Sequence, residues 1–376
     1  NLPVRRRGLS SVDPLHSCDP LSMPRIALIP GDGIGVEVVR EARRVLDAIN
    51  DAEGLGFEFV DWDLGADRYL RDGVTITDDE FKSLSEDHDA VLLGALGDPR
   101  VPSNVHAKDI LLGMRFKLDL YVNFRPCVLL APDHCPLRDV ESLRLETFRE
   151  NTEGAYTGMG GTFKTGTADE VAIEEDVNTR KGVERIIRAA FDFAHTRGRH
   201  HVTLVDKSNV QRHAGGLYRR VFAEVGEEYP AIEQDAMYVD AMAMDLVRRP
   251  ERYEVIVTSN LFGDIISDLA AEVTGGLGLA PSANIHPGQN ALFEPVHGSA
   301  PDIAGQNLAN PIGAIRCVAL MLDHFGHAEA AERVEAAVAA SAREGRTTPD
   351  LGGDLGTDGV GQWITAQVVG NTAATN

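Results

Sequence analysis

The run Tyr253-Glu-Val-Ile-Val-Thr-Ser-Asn-Leu-Phe-Gly-Asp-Ile-Ile-Ser-Asp constrains the fold more than any other part of this chain. Its first half is a short apolar stretch of the kind that forms a buried parallel strand. The Asn-Leu-Phe-Gly turn then opens a helix. Asp264 and Asp268 stand four residues apart in that helix, so they share a face and aim at one point. Two bare carboxylates side by side repel, and a hard divalent cation relieves the repulsion. An isolated pair of this kind is more often a solvated helix face or an N-terminal charge that suits the helix dipole. The placement argues otherwise, because the pair lies beyond the carboxyl end of a strand, where open α/β sheets bind ligands.

Strands and helices alternate along much of the chain. Pro24 to Ile29 reads as a strand running into Gly31-Asp-Gly-Ile-Gly, followed by a helix from about Val36 to Ile49. Strand, glycine turn, helix is the outline of a phosphate cradle. The spacing is G-x-G-x-G, however, and differs from the G-x-G-x-x-G of dinucleotide folds. Further strands are expected at 57–62 and 90–94, with helices at 78–84 and 106–118 and extended chain from Tyr121 to Pro126. Residues 154–178, rich in Gly and Thr with alternating apolar positions, suggest an extended hairpin arm. Long helices are expected over 306–325 and 328–342. This alternation predicts an α/β protein with a mostly parallel sheet.

The chain carries 58 acidic against 36 basic residues, a net charge of −22. Such a surface disfavours nucleic acid and anionic membranes. No stretch approaches the apolar length of a membrane span. Cys18, Cys127, Cys135 and Cys317 show neither a C-x-x-C pair nor metal-finger spacing, so reduced thiols in a cytoplasmic enzyme are expected. Residues 1–22, with Arg5-Arg6-Arg7 and no apolar core for secretion, read as a disordered or non-native extension ahead of Met23.

Upstream of the aspartates lie residues suited to gripping a polyanion. Arg115 comes late in the 106–118 helix, Arg125 ends the next strand, and Arg149 opens Arg-Glu-Asn-Thr-Glu-Gly. Guanidinium forks match carboxylates, so three converging arginines suit a di- or tricarboxylic acid, although each alone reads as a surface ion pair. Tyr156 follows Arg149, and Lys207 ends the strand His201-Val-Thr-Leu-Val. A lysine closing a buried strand is a candidate base; its plainer reading is a charge that snorkels to solvent.

These segments together resemble the metal-dependent β-decarboxylating dehydrogenases, the isocitrate/isopropylmalate dehydrogenase family. The resemblance runs from about Met23 to Thr365. Its motifs are Gly31-Asp-Gly-Ile-Gly, Asn123-Phe-Arg-Pro, Arg149-Glu-Asn-Thr-Glu-Gly, Lys207-Ser-Asn and Tyr238-Val-Asp-Ala. Asn260-Leu-Phe-Gly-Asp-Ile-Ile-Ser-Asp, Glu294-Pro-Val-His-Gly-Ser-Ala-Pro-Asp and Ala309-Asn-Pro complete them. The resemblance implies the family's own two-domain α/β fold with a mixed sheet, distinct from a Rossmann fold. It implies a discontinuous cofactor-binding domain over 23–120 plus 275–370, and a smaller domain over 121–274 that carries the dimer interface and the arm.

Residue roles follow from the same resemblance. Arg115, Arg125 and Arg149 would hold substrate carboxylates, and Asp240, Asp264 and Asp268 would ligate Mg2+ or Mn2+. Lys207 and Asp240 would relay the hydroxyl proton from a partner subunit, which makes a homodimer the active unit, and Tyr156 would protonate the product carbon. Ile34, His297, Gly298, Ser299, Ala300, Asp302 and Asn310 would bind the cofactor. A carboxylate at Asp302 accepts hydrogen bonds from a ribose 2′-hydroxyl and repels a 2′-phosphate, which favours NAD+.

Within the family, substrate choice tracks Lys108-Asp-Ile-Leu-Leu-Gly-Met, just before Arg115. Leu111 and Leu112 would form an apolar wall that suits an isopropyl group, whereas a third carboxylate against it would be unpaired. The expected reaction is therefore oxidative decarboxylation of a 3-substituted malate, with 3-isopropylmalate ahead of D-malate or tartrate and then homoisocitrate or isocitrate. Lys108 leaves two readings open: it faces solvent or pairs with Asp109, or it meets a substrate carboxylate. Retention of the arginines, Tyr156, Lys207 and three aspartates argues against a non-catalytic regulatory subunit.

Overall fold

The computed structural model describes residues 13–16 and 23–370. These divide into two compact units, 16–144 with 268–370 and 13–15 with 145–267. In the larger unit the strands are β1 (Arg25–Gly31), β2 (Glu58–Asp61), β3 (Ala90–Ala95) and β4 (Val122–Val128). The smaller unit carries β5 (Arg144–Glu150), β6 (Gly160–Phe163), β7 (Val171–Glu174), β8 (His201–Asp206), β9 (Glu233–Tyr238) and β10 (Val255–Thr258). The chain then returns to the larger unit for β11 (Pro281–Ile285) and β12 (Ala291–Pro295).

The larger unit's sheet runs β2-β1-β3-β12-β11-β4. β1 is parallel to β2 and β3, β12 is parallel to β3, and β11 is antiparallel to both β12 and β4, so the sheet is mixed. β3 is buried along its whole length, which is why Ala-Val-Leu-Leu-Gly-Ala shows no polar alternation. The helix Gly35–Glu53 covers this sheet with Val38, Val39, Ala42, Val45, Leu46 and Ile49, a period of three to four that puts one stripe in the core. Gly54, with φ 65°, ends it in the left-handed conformation that glycine adopts without penalty.

The smaller unit's main sheet, β5-β10-β8-β9, is wholly parallel. The helices Arg180–Thr196 and Arg212–Gly226 supply the crossovers, and Ile186, Ile187, Phe191, Val221 and Phe222 are buried. Each such side chain contributes about 1.5–3 kcal/mol of burial. β6 and β7 pair antiparallel as a separate exposed hairpin, as the Gly/Thr-rich stretch suggested.

Four expectations differ from what the structure shows. The unit boundaries fall at 144/145 and 267/268, where the sequence placed them at 121 and 274. β4 pairs with β11, a contact across more than 150 residues, and so joins the larger unit. The helix expected from Gln306 begins at Ile312, because residues up to Asn307, itself at φ 59°, form turns and Asn310 caps the helix just ahead. The helix expected over 106–118 is broken by a π-helical turn at Lys108–Leu112. Of the 22-residue extension, 1–12 and 17–22, including Cys18, lie outside the described residues. Asp13 and Leu15, however, are buried, and Asp13 pairs with Arg197 while accepting the Leu15 N–H at 2.9 Å. Burial pushes the Cys127 thiol up to about 12.

Candidate active site

The end of β5 sets Arg149 opposite Thr258 of β10, immediately before the helix Asn260–Val273. Arg149 is 1% exposed. Its Nη1 donates to Asp264 Oδ1 at 2.6 Å, while Nε and Nη2 donate to Asn260 Oδ1 at 3.0 and 2.8 Å. Gly263 makes this approach possible: a Cβ there would lie 2.5 Å from Arg149 Cγ. Tyr156 donates its hydroxyl to Asp264 Oδ2 at 2.7 Å, and the Arg149 guanidinium sits 5.2 Å from the Tyr156 ring centre. Asp264 thus takes a cation and a phenol, one on each oxygen.

Asp268 follows one turn on, and Arg125 Nη1 donates to its Oδ1 at 3.1 Å. Both carboxylates remain accessible, with side-chain exposures of 35% for Asp264 and 49% for Asp268. Arg115 is buried, and its Nη2 donates to Glu294 Oε1 at 2.8 Å; Glu294 also accepts from Asn284 Nδ2 at 2.9 Å.

Lys207 and Asp240 form a pair of their own. Lys207 Nζ donates to Asp240, and this hydrogen bond holds the Asp240 carboxyl below the usual carboxylate range. Among the described residues of one chain, no three His, Cys, Asp or Glu side chains converge as a metal would require. Asp264 and Asp268 therefore supply two hard oxygen donors of an incomplete set. That donor chemistry fits Mg2+ or Mn2+.

The glycine turn after β1 packs against the 297–302 loop. Ile34 N–H donates to Ser299 O at 2.8 Å, and a Cβ on Gly33 would lie 2.0 Å from that same oxygen. A half-open cavity of about 480 Å³ lies beside the turn, lined by Gly31, Asp32, Val36, Arg100, Pro301 and Gly305. His297 Nδ1 donates to Gly298 O at 3.0 Å, which leaves a buried Nε2 without a partner. Burial lowers the His297 pKa and so favours a neutral ring whose Nε2 accepts, as an exocyclic base amine requires. Ala300 holds φ 36°, and Asp302 is exposed with no partner for its carboxylate among the described residues. The residues present fit a dinucleotide. Asn310 is the exception: its amide donates to Asp350 at 3.0 Å and its oxygen accepts the Ile312 N–H at 3.0 Å, both structural uses.

In the segment before Arg115, Lys108 is exposed and has no partner among the described residues, and Asp109 accepts from Thr75 Oγ1 at 2.8 Å. Lys108 and Leu112 line a half-open cavity of about 330 Å³ with Ile76, Phe81 and Phe116. Leu111 leans on the core cluster of the larger unit beside Trp62 and Leu96. Sequence reasoning quoted Asn260 and Glu294 within motifs but missed their work, which is to orient Arg149 and Arg115. It also missed His106, whose partner is 74 positions away.

The profile of the isocitrate/isopropylmalate dehydrogenase family matches residues 25–366. The chain is 48% identical to the 3-isopropylmalate dehydrogenase of Thermobifida fusca (strain YX), over 88% of this chain and 96% of that one. It is 51% identical to the 3-isopropylmalate dehydrogenase of Corynebacterium jeikeium (strain K411), over 85% and 93%. Among solved structures, isocitrate dehydrogenase from Methylococcus capsulatus matches with a TM-score of 0.84 at 39% identity, covering 92% of this chain and 99% of that one. With its two-unit α/β fold, its mixed sheet and a profile match across nearly its whole length, the chain belongs to the isocitrate/isopropylmalate dehydrogenase family.

Proposed function

We propose that this chain catalyses the NAD+-dependent oxidative decarboxylation of 3-isopropylmalate with Mg2+ or Mn2+, as a homodimer whose sites are shared between subunits. The observation that carries the reading is Asp264, held by Arg149 at 2.6 Å and by the Tyr156 hydroxyl at 2.7 Å, with Asp268 one turn along the helix. The relatives at about half identity carry the corresponding name.

A bound cation and dinucleotide would supply, respectively, polarisation of the hydroxy acid and acceptance of its hydride. Asp264 and Asp268 would hold the first, and His297, Ser299 and Asp302 would face the second. Arg115, Arg125 and Arg149 orient the substrate carboxylates through charge-assisted bonds. Lys207 and Asp240 together would relay the hydroxyl proton as the carbonyl forms. Tyr156 lies on Asp264, where its hydroxyl can return a proton to the carbon that loses CO2. The unpartnered Asp302 carboxylate supports NAD+ over its 2′-phosphorylated form.

Shared sites account for several features of the smaller unit. Lys207 bonds to Asp240, with no bond to Tyr156 or Asp264. Met244 and Val247 on the helix Val239–Arg248 are 62% and 50% exposed, and Ile265, next to Asp264, is 55% exposed. Phe163 and Ile173 on the β6–β7 hairpin are 66% and 52% exposed. Apolar surface of this extent is costly in water and suits burial against a second copy.

The unpaired ammonium of Lys108 supports a second reading, a substrate whose 3-substituent carries negative charge, as in tartrate-type or homoisocitrate enzymes. NADH formation with Mn2+ across 3-isopropylmalate, D-malate, tartrate, homoisocitrate and isocitrate separates the two. A kcat/KM preference for 3-isopropylmalate of roughly tenfold or more supports the first reading. A preference for any of the others rejects it.

A further inference from the structure

Asp32, in the glycine turn, is 5% exposed and collects three donors. Oδ1 accepts the Ala66 N–H at 2.6 Å, and Oδ2 accepts the Gly97 N–H at 2.7 Å and bonds to His106 Nε2 at 2.7 Å. His106 is fully buried, and its ring lies 6.4 Å from that of Tyr69 at an interplanar angle of 23°. A carboxylate surrounded by donors accepts, so Nε2 carries the ring proton. Nδ1 is buried and has no hydrogen-bond partner among the described residues.

The bond joins two parts of the larger unit with different tasks. On one side, Asp32 lines the cavity assigned to the dinucleotide. On the other, His106 opens the helical segment that carries Lys108, Leu112 and Arg115. Arg115 is tied down in turn by Glu294. Between these two buried anchors lies the π turn Lys108–Leu112, which holds an extra residue within the segment. A segment pinned at both ends cannot shed that residue unless one pin releases. The pins therefore decide how Leu111 and Leu112 are presented.

We propose that His106 is a positioning residue: its bond to Asp32 locks the glycine turn and the substrate-selecting helix together, so one contact sets the affinity for both cofactor and substrate. The inference rests on the dinucleotide reading of the cavity. Its test compares His106→Leu, which removes the donor, with His106→Gln, which keeps an N–H near the Nε2 position. NAD+ affinity is measured by calorimetry on the full chain without substrate, and the KM for 3-isopropylmalate separately. H106L should weaken NAD+ binding and raise the substrate KM together, each by about tenfold, the scale of one lost charge-assisted hydrogen bond. Its kcat should fall less than about threefold, and H106Q should recover most of both affinities. Unchanged affinities in folded H106L, a change in one ligand alone, or H106Q as impaired as H106L would each overturn the proposal. Should H106L fail to fold, Asp32→Asn takes its place, with the same coupled loss expected and an uncoupled or absent loss contradicting it. Failure of the unaltered protein to bind NAD+ would reject the cofactor reading and this inference with it.

Discussion

Arg149 meets Asp264 at 2.6 Å while its other two nitrogens hold Asn260, so one guanidinium fixes the first turn of the helix that carries both Asp264 and Asp268. Lysine offers a single point charge in place of this fork. Arg149→Lys should leave a folded protein whose kcat/KM is lower by roughly a hundredfold or more, with much of the loss in kcat. Steady-state kinetics beside a circular dichroism melt checks it; activity within a few-fold of the unaltered protein would mean that Asp264 orients itself.

Gly263 lets the Arg149 stem lie against the helix, since a Cβ would come 2.5 Å from Cγ and 2.7 Å from Cβ of that arginine. Gly263→Ala would raise helix propensity on an exposed helix, yet here overpacking should win. The variant should lose about 1–3 kcal/mol of stability and a larger share of its activity, because the displaced side chain is Arg149. Urea unfolding measures the first loss; a more stable G263A would show that the helix can shift freely.

Tyr156 donates to Asp264 at 2.7 Å, so its hydroxyl lies against the carboxylate proposed to hold the cation. Tyr156→Phe should slow decarboxylation and enol protonation more than hydride transfer. The two halves separate by comparing NAD+ reduction with metal-dependent decarboxylation of oxaloacetate. Normal processing of oxaloacetate by Y156F would remove Tyr156 from the role of proton donor.

His201 and Asp235 begin and continue neighbouring strands, with Nε2 and Oδ1 3.4 Å apart. The Asp235 carboxylate beside it raises the His201 pKa above its ordinary value, and burial opposes it. A raised histidine binds its proton more tightly folded than unfolded. The stabilisation is therefore complete below the unfolded value of about 6.5 and fades as pH rises through the folded one. The stability difference between the unaltered protein and His201→Gln should be larger near about pH 5.5 than near about pH 8.5. A difference that grows with pH would reverse the sign.

The parts of the site that were legible in the sequence are local. Asp264 and Asp268 follow from helix geometry and one strand–turn–helix run, and Arg149 from its place at a strand end. The π turn at Lys108–Leu112 was not legible, because apolar periodicity assumes an α-helix throughout. The resemblance set Leu111 and Leu112 in one apolar wall; Leu111 packs on the core and Leu112 lines a cavity. β4 went to the wrong unit, and His106 was passed over, for a shared reason. Their partners, β11 and Asp32, are remote in sequence, and nothing local marks such pairings. Asn310 shows the opposite limit: a motif position whose hydrogen bonds serve the fold.

Sharing of the site between subunits is tested most directly by mixing two inactive variants. Lys207→Ala and Asp264→Asn are each purified, then unfolded and refolded together in equal amounts. If Lys207 serves the other subunit's Asp264, half the dimers are hybrids with one intact site, and roughly a quarter of the unaltered NADH formation should return. No recovery, from a mixture shown to contain hybrid dimers, would mean that Lys207 and Asp264 act within one chain and would contradict the account.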